Sequence, residues 1–166
     1  MVRRKKMRKW QQRSYEKFEM DFFVAFFSVR KLLESHKLSD DTIEMKMNLK
    51  VYPPKSKRVT LFNWHKLDDH FYMNRDNAVT KDLLFLCNQI VHSYIFVLSF
   101  DRADCLEGVF FTSDYQRNKS LYFIHIDKVV EIFKKVGADY PNQMSSYFDH
   151  KKQDYVITHN CLKDNE

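Results

Sequence analysis

The chain has 166 residues and carries 28 Lys and Arg against 22 Asp and Glu, a formal net charge of +6. Two Gly cannot build a phosphate-cradling glycine loop, and three Cys, at 87, 105 and 161, show neither a CxxC pair nor zinc-ligand spacing. Fifteen Phe and nine Tyr supply the apolar bulk of an ordered chain, long enough to bury one sizeable core.

The surplus charge lies near the N-terminus. Arg3, Arg4, Lys5, Lys6, Arg8 and Lys9 supply six positive charges, and the other basic residues balance the 22 acidic ones. Residues 1–9 therefore read as a flexible basic tail, and residues 10–166 as a single α+β domain. Such a tail can neutralise the phosphates of RNA or other nucleic acid, or an anionic membrane surface; it can equally be a solvated terminus. The apolar run Phe22–Val29 is too short and too closely flanked by charge to span a bilayer. Unpaired Cys suit a reducing compartment, so a cytoplasmic location is expected.

Residues 10–36 predict one long helix. Phe18, Phe22, Phe26, Val29 and Leu33 recur at three and four, while Glu16, Lys17, Arg30, Lys31 and Glu34 mark the wet side. The stripe is core by default, with part of it available as a subunit interface and hence a homodimer contact. The period then changes to two. Ile43, Met45, Met47, Leu49 and Val51 alternate with charged or polar residues, which predicts a half-buried strand ending at Pro53–Pro54. Val59–Trp64 is expected to return beside it as a hairpin. His65, Asp68, Asp69 and His70 fall on a short helix; His65 and Asp69 share a face, but no third ligand is near, so no metal is expected. Asn74–Val79 reads as a loop.

Thr80–Phe96 predicts the central helix, with Thr80 as N-cap and Asp82 in the first turn. Leu83, Leu84, Leu86, Cys87, Ile90, Val91, Tyr94 and Ile95 form its apolar arc, and Lys81, Asn88 and His92 gather on a narrow polar edge. Asn88 and His92, at i and i+4, lie on consecutive turns. An imidazole there can move a proton or steady a phosphate oxygen, or it can simply be solvated.

The segment Leu86–Tyr94, LCNQIVHSY, resembles the motif helix of the HEPN superfamily, helical domains found in many prokaryotic ribonucleases. Their motif is an Arg, usually followed by Asn, with His four residues beyond. The preceding FVAFFSVRKLLES is similar to the long first helix of such domains. The resemblance assigns Asn88 and His92 to the Asn and His, but Cys87 stands where the Arg belongs and supplies no charge. It implies a relative that binds RNA or self-associates more than one that cuts it. The alternative is a metal-independent endoribonuclease with His92 as acid–base group, Asn88 as orienter and Lys81 partly replacing the missing charge.

Beyond the helix the pattern predicts strands: Tyr94–Phe100, then Val109–Thr112 and Leu121–Ile126 as a hairpin around a loop holding Asp114, Arg117, Asn118 and Lys119. Asp127 caps a helix at Lys128–Val136 with Gly137 as its C′ residue, and Ser145–Phe148 and Tyr155–Thr158 predict a last hairpin. The element order from Thr80 onward resembles a restriction-endonuclease-like core, but the third strand, LYFIHID, lacks the Glu-x-Lys pair that would hold its metal. The expected architecture is α+β: a long N-terminal helix and a central helix packed with antiparallel β-hairpins. The expected role is a binding or assembly module, RNA-binding through tail or helix edge, with no cofactor.

Overall fold

The computed structural model describes residues 11–160, so Arg3, Arg4, Lys5, Lys6, Arg8 and Lys9 lie outside the described residues. The first helix, α1 (Gln12–Glu34), buries Phe22, Phe26, Val29 and Leu33, the spacing that puts one stripe against a core. Its aromatic rings form a run of contacts, Phe22 to Phe26 at 4.9 Å and Phe26 to Phe133 at 5.0 Å between centroids. The helix stops in a Schellman turn. His36 takes a left-handed φ of 52°, and Lys37 and His36 N–H donate to the Leu32 and Leu33 carbonyls at 3.0 and 3.2 Å.

A helical turn, α2 (Asp40–Ile43), leads into β1 (Lys46–Tyr52), whose Met47 and Leu49 point inward while Lys46, Asn48 and Lys50 are exposed. Val59–Trp64 is a turn, and the strand beside β1 is β2 (Asn77–Asp82), part of which was expected to be a loop. Residues 53–76, including the short helix α3 (Leu67–His70), instead fold across one face of the sheet. The reason lies in the apolar residues of that segment. Val59 and Phe71 are buried with Ile95, Leu121 and Phe123, so the segment closes a second core rather than an edge.

The remaining elements are α4 (Leu83–Val91), β3 (Ser93–Phe100), β4 (Leu106–Ser113), β5 (Leu121–His125), α5 (Ile126–Gly137), β6 (Gln143–Asp149) and β7 (Asp154–Asn160). Five strands form an antiparallel sheet in the order β2-β1-β5-β4-β3, with β6 and β7 as a separate hairpin. From α4 onward the order helix, three strands, helix, strand is the expected one, but β6 pairs with β7 instead of joining the five-stranded sheet. Strand β5 sits in the middle and is apolar on both faces. Tyr122 and Ile124 join the core under α1, α4 and α5; Leu121 and Phe123 join the core under residues 53–76. Gly137 is the last residue of α5, capped by Ala138 at φ −100°, and takes no left-handed turn. The α+β expectation holds: helices on one face of an antiparallel sheet, an irregular segment on the other. Among the described residues no helix is long and apolar enough to cross a membrane.

Candidate functional site

The central helix is shorter than its sequence pattern implies. Asp82, not Thr80, is its N-cap, its carboxylate accepting from Phe85 N–H at 2.7 Å. Thr80 belongs to β2, where its hydroxyl donates to Asn48 Oδ1 at 2.9 Å. At the other end His92 is the C-cap, and Tyr94 and Ile95 are already strand. The helix therefore has nine residues and is about 13 Å long at ~1.5 Å per residue.

This shortening scatters the predicted polar edge. Lys81 lies in β2, before the N-terminus of α4, with its ammonium 4.7 Å over the Phe85 ring. It is thus a full helix length from His92 and cannot lend that ring its charge. Asn88 is half-buried, and its Oδ1 is buried without a hydrogen-bond partner among the described residues. Its link to His92 is the backbone one, His92 N–H donating to the Asn88 carbonyl at 3.2 Å. The orienting role expected of the Asn88 side chain is not one its contacts perform.

His92 itself is exposed, and a different residue orients it. Nη1 of Arg30, on α1, lies 2.9 Å from His92 Nε2. A guanidinium cannot accept, so Nε2 is the acceptor and the neutral ring carries its proton on Nδ1. Arg30 is held in turn by Glu34, whose Oε1 accepts from Nε at 2.7 Å; Glu34 Oε2 meets the Lys31 ammonium at 2.7 Å. Lys31 first, then Arg30, hold the Glu34 carboxyl below its ordinary range. The cluster of Arg30, Lys31 and Glu34 keeps one net positive charge beside the imidazole.

Packing explains why the pair forms where it does. α1 lies on α4, and Arg30 follows buried Val29 on the rim of that contact. Cys87, in the Arg position of the family motif, is fully buried, and burial pushes its thiol up from 9.0 to about 12, against a smaller downward pull from Arg30. A thiol in that place is core. Arg30, on α1, brings a positive charge beside both Cys87 and His92. Sequence reasoning placed Arg30 on the wet side of its helix but had no means of joining it to a residue 62 positions away.

The other candidates are committed locally. Asp69 pairs with Lys57 at 2.6 Å, and buried His70 is enclosed by backbone carbonyls. The acidic loop after β3 is likewise engaged with itself, Asp101 accepting from Ala103 and Cys105 N–H. Among the described residues no group of three His, Cys, Asp or Glu is placed to hold a metal ion. The segment Leu86–Tyr94 spans the end of α4, its C-cap His92 and the start of β3, and strands flank α4 on both sides. No family model, curated protein or solved structure matches this chain.

Proposed function

We propose that this chain is an RNA-binding and assembly module that engages a phosphate at the Arg30–His92 pair. The observation that carries the reading is the exposed imidazole with a guanidinium 2.9 Å from its Nε2, in a cluster of net positive charge. Arg binds phosphate oxygens through paired N–H groups, and a neighbouring imidazole adds a donor when protonated. Assembly through the helical layer is supported by α1, which leaves Met20, Val24 and Phe27 half or more exposed at i, i+4 and i+7.

The test is binding of labelled RNA by the full chain in chelator. Arg30→Ala should weaken binding roughly tenfold, as loss of a charged hydrogen bond does. Glu34→Gln, which removes the carboxylate competing for Arg30, should tighten it. Binding that ignores both substitutions would show that the pair touches no RNA.

A second reading, a metal-independent endoribonuclease, is favoured by the exposure of His92 with an arginine against its Nε2. There His92 takes the proton of a ribose 2′-hydroxyl, whose oxygen attacks the adjacent phosphorus and expels the 5′-oxygen of the next nucleotide, which leaves as a hydroxyl with a proton from water. Arg30 swings from Nε2 to the phosphate oxygens. This reading requires products ending in a 2′,3′-cyclic phosphate, none from DNA, and none from His92→Ala.

A further inference from the structure

The end of the sheet that carries His92 continues into a second surface. The His92 carbonyl accepts from Asp114 N–H at 3.1 Å, where the loop joining β4 to β5 begins. Within that loop Arg117 pairs with Asp114 at 2.9 Å and lies 4.3 Å over the Tyr94 ring, while the Lys119 ammonium sits 3.7 Å over the ring of Tyr115. Asn118 then reaches the segment on the far face: its Oδ1 accepts from Val59 N–H at 2.9 Å. Direct contacts thus run from His92 to the turn at residues 57–63.

That turn is firmly built. His70, 1% exposed, places Nδ1 3.1 Å from the Lys57 carbonyl and Nε2 3.0 Å from the Asn63 carbonyl. Asn63 closes the turn from inside, accepting from Thr60 N–H at 2.7 Å and donating to the Arg58 carbonyl at 3.2 Å. This ordered backbone holds Phe62 out in water at 86% exposure, and across the Asn118 link Tyr115 is 77% exposed. Two large rings displayed from tethered loops invite a flat partner. The same two loops carry three cations. Arg58 and Lys119 have no carboxylate partner among the described residues, and Arg117 has only the exposed Asp114.

Displayed rings on loops that also carry Arg58, Arg117 and Lys119 match a strand whose bases offer π-faces and whose linkages carry negative charge. In a duplex those faces are already stacked on one another. We propose that this surface binds single-stranded polynucleotide, with bases stacking on Phe62 and Tyr115 and phosphates neutralised by Arg58, Arg117 and Lys119. The inference takes its class of ligand from the RNA-binding reading above, but uses neither Arg30 nor His92.

The test compares three labelled ligands on the full chain in chelator: a mixed-sequence single-stranded RNA, an abasic strand of equal length, and the duplex. The wild type should prefer the single strand to both others. Phe62→Ala and Tyr115→Ala should each weaken single-strand binding roughly 5- to 100-fold, leave the abasic strand unchanged, and be rescued by Phe62→Trp at the first position. Equal affinity for the normal and abasic strands, or alanine variants that bind as wild type, overturns the surface. If Arg30→Ala still weakens binding in that case, the earlier reading stands alone. Conversely, loss confined to the two ring variants upholds this surface and removes the phosphate role of Arg30. No binding of any strand, together with self-association that Phe62→Ala abolishes, overturns the proposal and makes the rings part of a protein interface.

Discussion

The two glycines of the chain make a sharp test at the scale of single residues. At Gly108, in β4, an added Cβ would meet the Ile124 carbonyl oxygen at 2.3 Å and the Phe123 ring at 2.5 Å, and the first of these is backbone that cannot step aside. Gly108→Ala should therefore destabilise the fold by about 1–3 kcal/mol, as overpacking does. At Gly137 a Cβ meets nothing within 4 Å, and the residue is helical, so Gly137→Ala should stabilise by up to about 1 kcal/mol. Denaturant midpoints of the two variants should move in opposite directions. Cys87 gives a second expectation. Its buried thiol ionises only near 12, whereas the unfolded chain ionises it near 9.0, so below about pH 9 the residue costs the fold nothing and above it stability declines with rising pH. Native protein at neutral pH should leave Cys87 unlabelled by a thiol reagent, with labelling appearing on unfolding; rapid native labelling would mean the α1–α4 contact opens.

At the scale of elements, the sequence was most legible where one face is wet. α1 and β1 each divide cleanly into an apolar and a polar face, and each emerged within a few residues of its expected bounds. α4 was not so legible. Its C-terminal flank, Ser93–Phe96, is strand yet continues the helix's apolar run, with Ile95 and Phe96 both buried, while Thr80–Asp82 is polar and half-exposed and reads as a helix start. Only Asp82, a better cap than Thr80 where both precede an apolar run, marked the true start. The exposed Met20, Val24 and Phe27 of α1 bear on assembly. If that stripe closes a dimer, sedimentation should give a dimer for the wild type and a monomer for Val24→Glu, with fold stability changed by less than about 0.5 kcal/mol because the site is on the surface. A wild type that stays monomeric would remove the stripe from the assembly reading.

At the scale of the whole molecule, the candidate site was the least legible feature, and for a definite reason. His92 and Asn88 could be named from spacing on one helix. The residue that touches the imidazole, Arg30, is brought there by helix–helix packing, and no local pattern encodes which helix lies on which. The same holds for the turn around Phe62. Its sequence, apolar and short, looks like a strand, and only the buried His70 and the Asn118 link make it a displayed loop. The sheet order is similarly remote from the sequence, since β1 lies beside β5, about seventy residues later, rather than next to a hairpin partner on that side.

That placement of β5 has a consequence in time. As the chain leaves a ribosome, β1 and β2 can pair early, and β3 with β4, but these are two separate ribbons until Leu121–His125 slides between them. Until then the aromatic stripe of α1 faces a half-made platform, and a nascent chain paused before residue 121 presents Phe22 and Phe26 to whatever is near. Closure by the last-made strand of this sheet is a non-local step of the kind that slows folding, and until it happens the apolar faces of both ribbons stay open to water.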